Sequence, residues 1–141
     1  MESLKTLESL SAEFKAQRQQ FQKRGVEVLK AALGDLFTCY PELGAVRWRQ
    51  YTPYFNDGDE CVFGVHEVEF LKAGQEESDD GEWTYLWSND KGGLSDAAHA
   101  SLLTLNQQIQ DMEEVLHAAF GDHVQVIVKK DGVTVEEYSH D

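Results

Sequence analysis

Leu7, Phe14, Phe21 and Val28 stand seven residues apart, and Leu4 and Leu10 thicken the same stripe near its start. The residues between them are mainly Lys, Glu, Gln and Arg, good helix formers on a solvated face, so the first forty residues read as helix. Gly25 interrupts the pattern, and a second apolar face follows at Val26, Leu29, Leu33, Leu36 and Phe37. Either one long helix carries Gly25 at a cost of about 1 kcal/mol, or two helices meet there. Pro41 marks the end, because the residue before a proline avoids the α region. A strict seven-residue repeat is the geometry of a helix–helix seam. Leu7, Phe14 and Phe21 are therefore candidates for self-association or partner contact, against the alternative that the helix folds back on its own domain.

Beyond residue 45 the pattern changes to short β-like runs. Ala45–Phe55 and Cys61–Leu71 are rich in aromatic and β-branched residues and flank the turn-forming Asn56-Asp57-Gly58-Asp59, which predicts a hairpin. Trp83–Trp87 reads as a third short strand, with Trp83, Tyr85 and Trp87 on one face by period two. Ser95 is a candidate N-cap for a helix whose stripe is Leu102, Leu105, Ile109, Met112, Leu116 and Ala119 or Phe120, ending at Gly121. His123–Val128 and Val133–Tyr138 then form a hairpin around Asp131-Gly132. The expectation is a single α+β domain over residues 1–141. Its sheet is mainly antiparallel with about five strands, after a helical region at 1–40 and with one long helix before the C-terminal hairpin.

The chain has 141 residues, with 12 Lys+Arg against 26 Asp+Glu and a formal net charge of −14. Hydrophobic residues make up 41%, enough for a real core despite the charge. No apolar run approaches a membrane span, and the N-terminus lacks the apolar stretch of a signal peptide. Such acidity argues against broad electrostatic binding to nucleic acid or anionic lipid. Cys39 and Cys61 lack any Cys-x-x-Cys spacing and read as two free thiols in a cytoplasmic setting, with a single disulfide as the alternative.

The acidity is uneven. The first fifty residues hold eight Lys+Arg and six Asp+Glu, and the other ninety-one hold four and twenty. Ten carboxylates crowd residues 57–82: Asp57, Asp59, Glu60, Glu67, Glu69, Glu76, Glu77, Asp79, Asp80 and Glu82, with Lys72 the single cation among them. Three readings apply: a solvated surface that aids solubility, an acidic face that meets a basic protein, or cation binding by part of the cluster.

Motifs that would mark chemistry fall short. Placing Gly58 at the sixth position of a calcium loop puts Pro53, Phe55 and Gly64 where oxygen ligands are required, so a tight turn is the better reading. Glu114-x-x-His117 is one copy of a pair that a diiron site needs twice, and no zinc spacing is present. Gly92-Gly93-Leu94-Ser95 lies where backbone N–H groups can hold an anion, with Lys91 beside it, but the P-loop pattern is absent. No nucleophile motif appears. The expectation is a protein without catalytic residues, metal or cofactor.

The segment Trp48-Arg49-Gln50-Tyr51-Thr52-Pro53-Tyr54-Phe55-Asn56-Asp57-Gly58-Asp59-Glu60-Cys61-Val62-Phe63 resembles a motif of small uncharacterised bacteriophage and prophage proteins. The resemblance covers sixteen residues and carries over no catalytic residue. It implies a viral or mobile-element source, residence in a host cytoplasm, and action against a host system. By analogy of class, small acidic phage proteins often occlude a nucleic-acid-binding groove. Two functions follow. One is a non-enzymatic binding protein whose acidic cluster blocks a basic host surface, such as that of a defence nuclease or CRISPR effector. The other is an α+β domain whose aromatic sheet face and Gly92-Gly93 loop hold, or act on, a nucleotide-like ligand.

Overall fold

The computed structural model describes residues 1–53, 58, 61–75 and 83–139. Helix α1 runs unbroken over Glu2–Cys39, so the first two predicted helical faces belong to one helix. Gly25 lies where a later helix, α3 (Glu113–Phe120), crosses. A Cβ at Gly25 would stand 3.0 Å from Val115 Cγ1 and 3.3 Å from Met112 Cε, so the missing side chain makes room for the crossing. The buried residues of α1 are Leu29, Leu33 and Phe37, all in its C-terminal third.

The remaining elements are β1 (Leu43–Tyr51), β2 (Gly64–Val65), β3 (Glu69–Lys72), β4 (Thr84–Tyr85), α2 (Asp96–Asp111), α3, β5 (Val124–Lys129) and β6 (Gly132–Glu137). One antiparallel sheet has the order β4-β3-β1-β5-β6, and β2 also pairs with β1. The fold is α+β, with three α-helices against six strands among the described residues.

Side chains alternate along β1. Val46 and Trp48 face the helices and pack with Val68, Phe70, Val126 and Val128 against Leu33, Phe37, Leu102, Ile109 and Leu116. A register shift between Leu43 and Ala45 adds one residue to β1, and Leu43 joins the same core. The opposite face of the central strands is covered too: Ala45, Arg47, Leu71, Gln125 and Ile127 are all buried.

Several predicted elements change in detail. The single helix before the C-terminal hairpin is two, broken at Met112, although the apolar stripe passes through the break without a Gly or Pro. The return strand from Cys61 to Leu71 is interrupted between Val65 and Glu69, and there the Val68 N–H donates to Asn106 Oδ1 of α2 at 2.9 Å. The strand expected over Trp83–Trp87 is limited to Thr84–Tyr85, with Leu86 and Trp87 in the following turn. The last hairpin turns on Lys130-Asp131, and Gly132 already pairs with Lys129. Ser95 does cap α2, its Oγ accepting from the Ala98 N–H at 3.2 Å, and Gly121 (φ 92°) ends α3.

Candidate interaction surface

Of the ten clustered carboxylates, Glu67 and Glu69 fall within the described residues, while Asp57, Asp59, Glu60, Glu76, Glu77, Asp79, Asp80 and Glu82 lie outside them. Glu69 begins β3, opposite Arg47 of β1, and the Arg47 Nε donates to its Oε1 at 3.0 Å. Arg47 is 4% exposed and its guanidinium carbon lies 4.4 Å from the centre of the Trp83 ring. A buried guanidinium demands a carboxylate and gains from an aromatic face, so Glu69 is engaged within the chain. Glu67 Oε2 accepts from Trp87 Nε1 at 2.6 Å and from the Tyr85 hydroxyl at 3.2 Å. These two donors are neutral, and the two rings that carry them are each more than half exposed. Burial first, and then the Glu67 charge and hydrogen bond, raise the Tyr85 hydroxyl above its ordinary pKa. The three aromatics expected on one strand face are thus divided, Trp83 to Arg47 and the other two to Glu67.

Two further cations of the sheet and loops are similarly engaged. Arg49 donates to Gln125 Oε1 at 2.9 Å and stacks over the Tyr138 ring at 4.6 Å. Lys91 donates to Asp96 Oδ1 at 2.7 Å, a bond that lowers the Asp96 pKa. Residues 40–141 carry six Lys+Arg and twenty-one Asp+Glu, a net of −15. With Arg47, Arg49 and Lys91 bound internally, exposed Asp111, Glu113, Asp131, Glu136 and Glu137 contribute to an outward charge that is negative. Helix α1 differs, with six Lys+Arg and five Asp+Glu over Glu2–Cys39.

The loop with a possible anion cradle has a packing explanation. Gly92 has φ 64°, and a Cβ there would lie 2.6 Å from Phe70 Cζ and 2.7 Å from Thr84 Cγ2, so glycine lets the turn close on the sheet. Among the described residues no group of three or more His, Cys, Asp and Glu is placed to hold a metal ion. Glu114 pairs with Arg18 of α1, and His117 stacks on Phe63 with ring centres 4.0 Å apart. Cys39 and Cys61 are both free thiols. Among the described residues no helix is long and apolar enough to cross a membrane.

The seam candidates Leu7, Phe14 and Phe21 all face solvent, at 61%, 62% and 66% exposure. Their stripe runs through Val28 into a groove of about 480 Å³ between α1 and α2, lined in part by Leu29, Ala32, Leu36, Leu105 and Met112. This groove was not legible in the sequence, because it forms between two helices separated by more than fifty residues. Gln50 and Asn106 were also missed as anchors. The available signal was a polar residue placed among core positions of a strand and of a helix stripe.

No protein-family model matches the chain, and no curated protein or solved structure matches it.

Proposed function

We propose that the protein is a non-enzymatic acidic binding module that occludes the basic, nucleic-acid-binding surface of another protein. The observation that carries this reading is the division of charge: residues 40–141 have a net charge of −15, and Arg47, Arg49 and Lys91 among their cations are held in contacts within the chain. An outward negative field steers a basic surface into contact and repels competing nucleic acid. The resemblance of residues 48–63 to a bacteriophage segment supports a partner in a host cytoplasm, with a defence nuclease or a CRISPR effector as the proposed class of target. On this reading Glu67, with Tyr85 and Trp87, and the carboxylates at 57, 59, 60, 76, 77, 79, 80 and 82 supply the contact.

The test uses a basic host protein captured from nuclease-treated lysate. Replacing Glu76, Glu77, Asp79 and Asp80 by Gln or Asn is expected to slow association and flatten its salt dependence, since exposed charges are screened over about 8–10 Å at physiological ionic strength. An on-rate unchanged by both the substitutions and high salt overturns the proposal. So does a stoichiometric nucleotide released from the purified protein and detected by mass spectrometry.

A further inference from the structure

Helix α1 leaves its apolar stripe largely exposed, with Glu114 and Val115 of α3 flanking Phe14 and Phe21 on one side. Leu4, Leu7, Leu10, Phe14, Phe21 and Val28 are each between 54% and 66% exposed. None of the first twenty-eight residues is buried. In proteins most of a helix's stability comes from tertiary packing of its apolar face. From residue 1 to residue 28 the helix extends about 42 Å, four heptads, which is the length at which a seam becomes a stable contact.

We propose that this stripe is the seam of a homodimer in which the α1 helices of two copies pack antiparallel. Leu7 of one copy then lies opposite Val28 of the other, and Phe14 opposite Phe21. The spacing selects this arrangement. Four residues seven apart are self-complementary under a two-fold axis midway between residues 14 and 21, and only that register pairs all four across a symmetric contact. It also brings Leu4 of the second copy beside Ala31 and Ala32, where the groove between α1 and α2 begins.

Charge selects the same orientation and a second copy as occupant. Residues 40–141 carry a net −15, whereas residues 1–28 carry five Lys+Arg and four Asp+Glu. A parallel pair sets the two acidic bodies side by side. An antiparallel pair places them at opposite ends of the seam, about 40 Å apart and several screening lengths at physiological salt. The near-neutral arm of each copy then approaches the acidic body of the other without repulsion. The inference is independent of the proposed function, because it concerns α1 and not the carboxylate cluster.

Solution mass of the full chain, measured by light scattering at roughly 50 µM, is expected to be twice the chain mass. The Phe14→Glu/Phe21→Glu variant is expected to be a monomer with unchanged circular dichroism of the sheet, since both side chains are exposed in one copy. Register is read by cross-linking in a Cys39→Ser/Cys61→Ser background with a short bismaleimide. Leu7→Cys/Val28→Cys is expected to give a covalent dimer, and Phe14→Cys alone is expected to give none. A monomeric wild-type chain overturns the proposal. So does an efficient cross-link from Phe14→Cys alone, which marks a parallel pair or one centred on residue 14.

Discussion

The Gln50 side-chain amide, fully buried in β1, donates to the carbonyl oxygen of Gly121 at 2.8 Å. The same nitrogen donates to the Leu116 carbonyl at 3.0 Å, and its Oε1 accepts from Trp48 Nε1 at 3.0 Å. One side chain thus satisfies the end of α3 and the indole beside it, and joins the sheet to the helix that carries the chain into β5. Gln50→Leu keeps the bulk but leaves two carbonyls and one N–H without this partner. Urea unfolding is expected to show a loss of about 3 kcal/mol, on the scale of orphaned buried polar groups.

Gly25 and Gly34 lie in the same helix but are expected to respond oppositely. Nothing lies within 4 Å of a Cβ built at Gly34, and the residue is exposed, so Gly34→Ala is expected to stabilise by about 1 kcal/mol through helix propensity alone. At Gly25 a larger side chain meets Val115 and Met112. Gly25→Leu is expected to destabilise by about 2 kcal/mol or more as α3 is forced off α1. Thermal unfolding of the two variants checks the contrast.

Breaking the Arg47–Glu69 pair tests how far Glu69 belongs to the fold. Arg47 is 4% exposed, so Glu69→Ala leaves a buried guanidinium that keeps the Trp83 face but loses its carboxylate among the described residues. The expected cost is about 2 kcal/mol, below the range for a fully buried pair because the Glu69 side chain is 27% exposed. Glu67→Gln keeps an acceptor for Trp87 and is expected to change stability by less than about 0.5 kcal/mol. Denaturant midpoints of the two variants distinguish a structural carboxylate from a surface one.

Asp122 gives the chain an acid-sensitive tie. Its carboxylate accepts from the Thr52 N–H at 2.8 Å, the Thr52 hydroxyl at 2.7 Å and the His123 N–H at 2.8 Å. Burial acts to raise the carboxyl pKa, but these hydrogen bonds and the His123 charge outweigh it and hold the group below the ordinary carboxylate value. A lowered folded-state pKa means that the stabilisation is complete above the ordinary carboxylate pKa. It is lost as pH falls through the lowered one. Asp122→Ala is therefore expected to reduce stability at pH 7, by about 2 kcal/mol on the scale of charge-assisted hydrogen bonds, and to have less effect near pH 2. Unfolding curves of wild type and variant at the two pH values check the sign.

What the sequence by itself determined was local. The 3.6-residue stripes announced the helices, Ser95 and Gly121 announced the two ends of the α2–α3 segment, and β-branched runs announced β1, β5 and β6. Each of these signals acts over a few residues, through dihedral preference, capping or the side on which apolar groups fall. The same pattern marked Leu7, Phe14 and Phe21 as one stripe, and all three are exposed along α1.

Tertiary structure decided the choices for which local preference was evenly balanced or misleading. Gly25 was compatible with one helix or two, and α3 crossing beside it accounts for one helix with a missing side chain. The apolar stripe ran unbroken through Met112, yet the helix breaks there as α2, packed on the sheet, gives way to α3, packed on α1. Glu67 and Glu69 looked equivalent in a run of carboxylates, and strand register separated them by setting Arg47 opposite Glu69 alone. Register, crossing and burial depend on residues far apart in the chain, and no window of neighbouring residues contains that information. The physical reason is that a buried charge or a close helix contact is stabilised only by the particular group the fold brings to meet it.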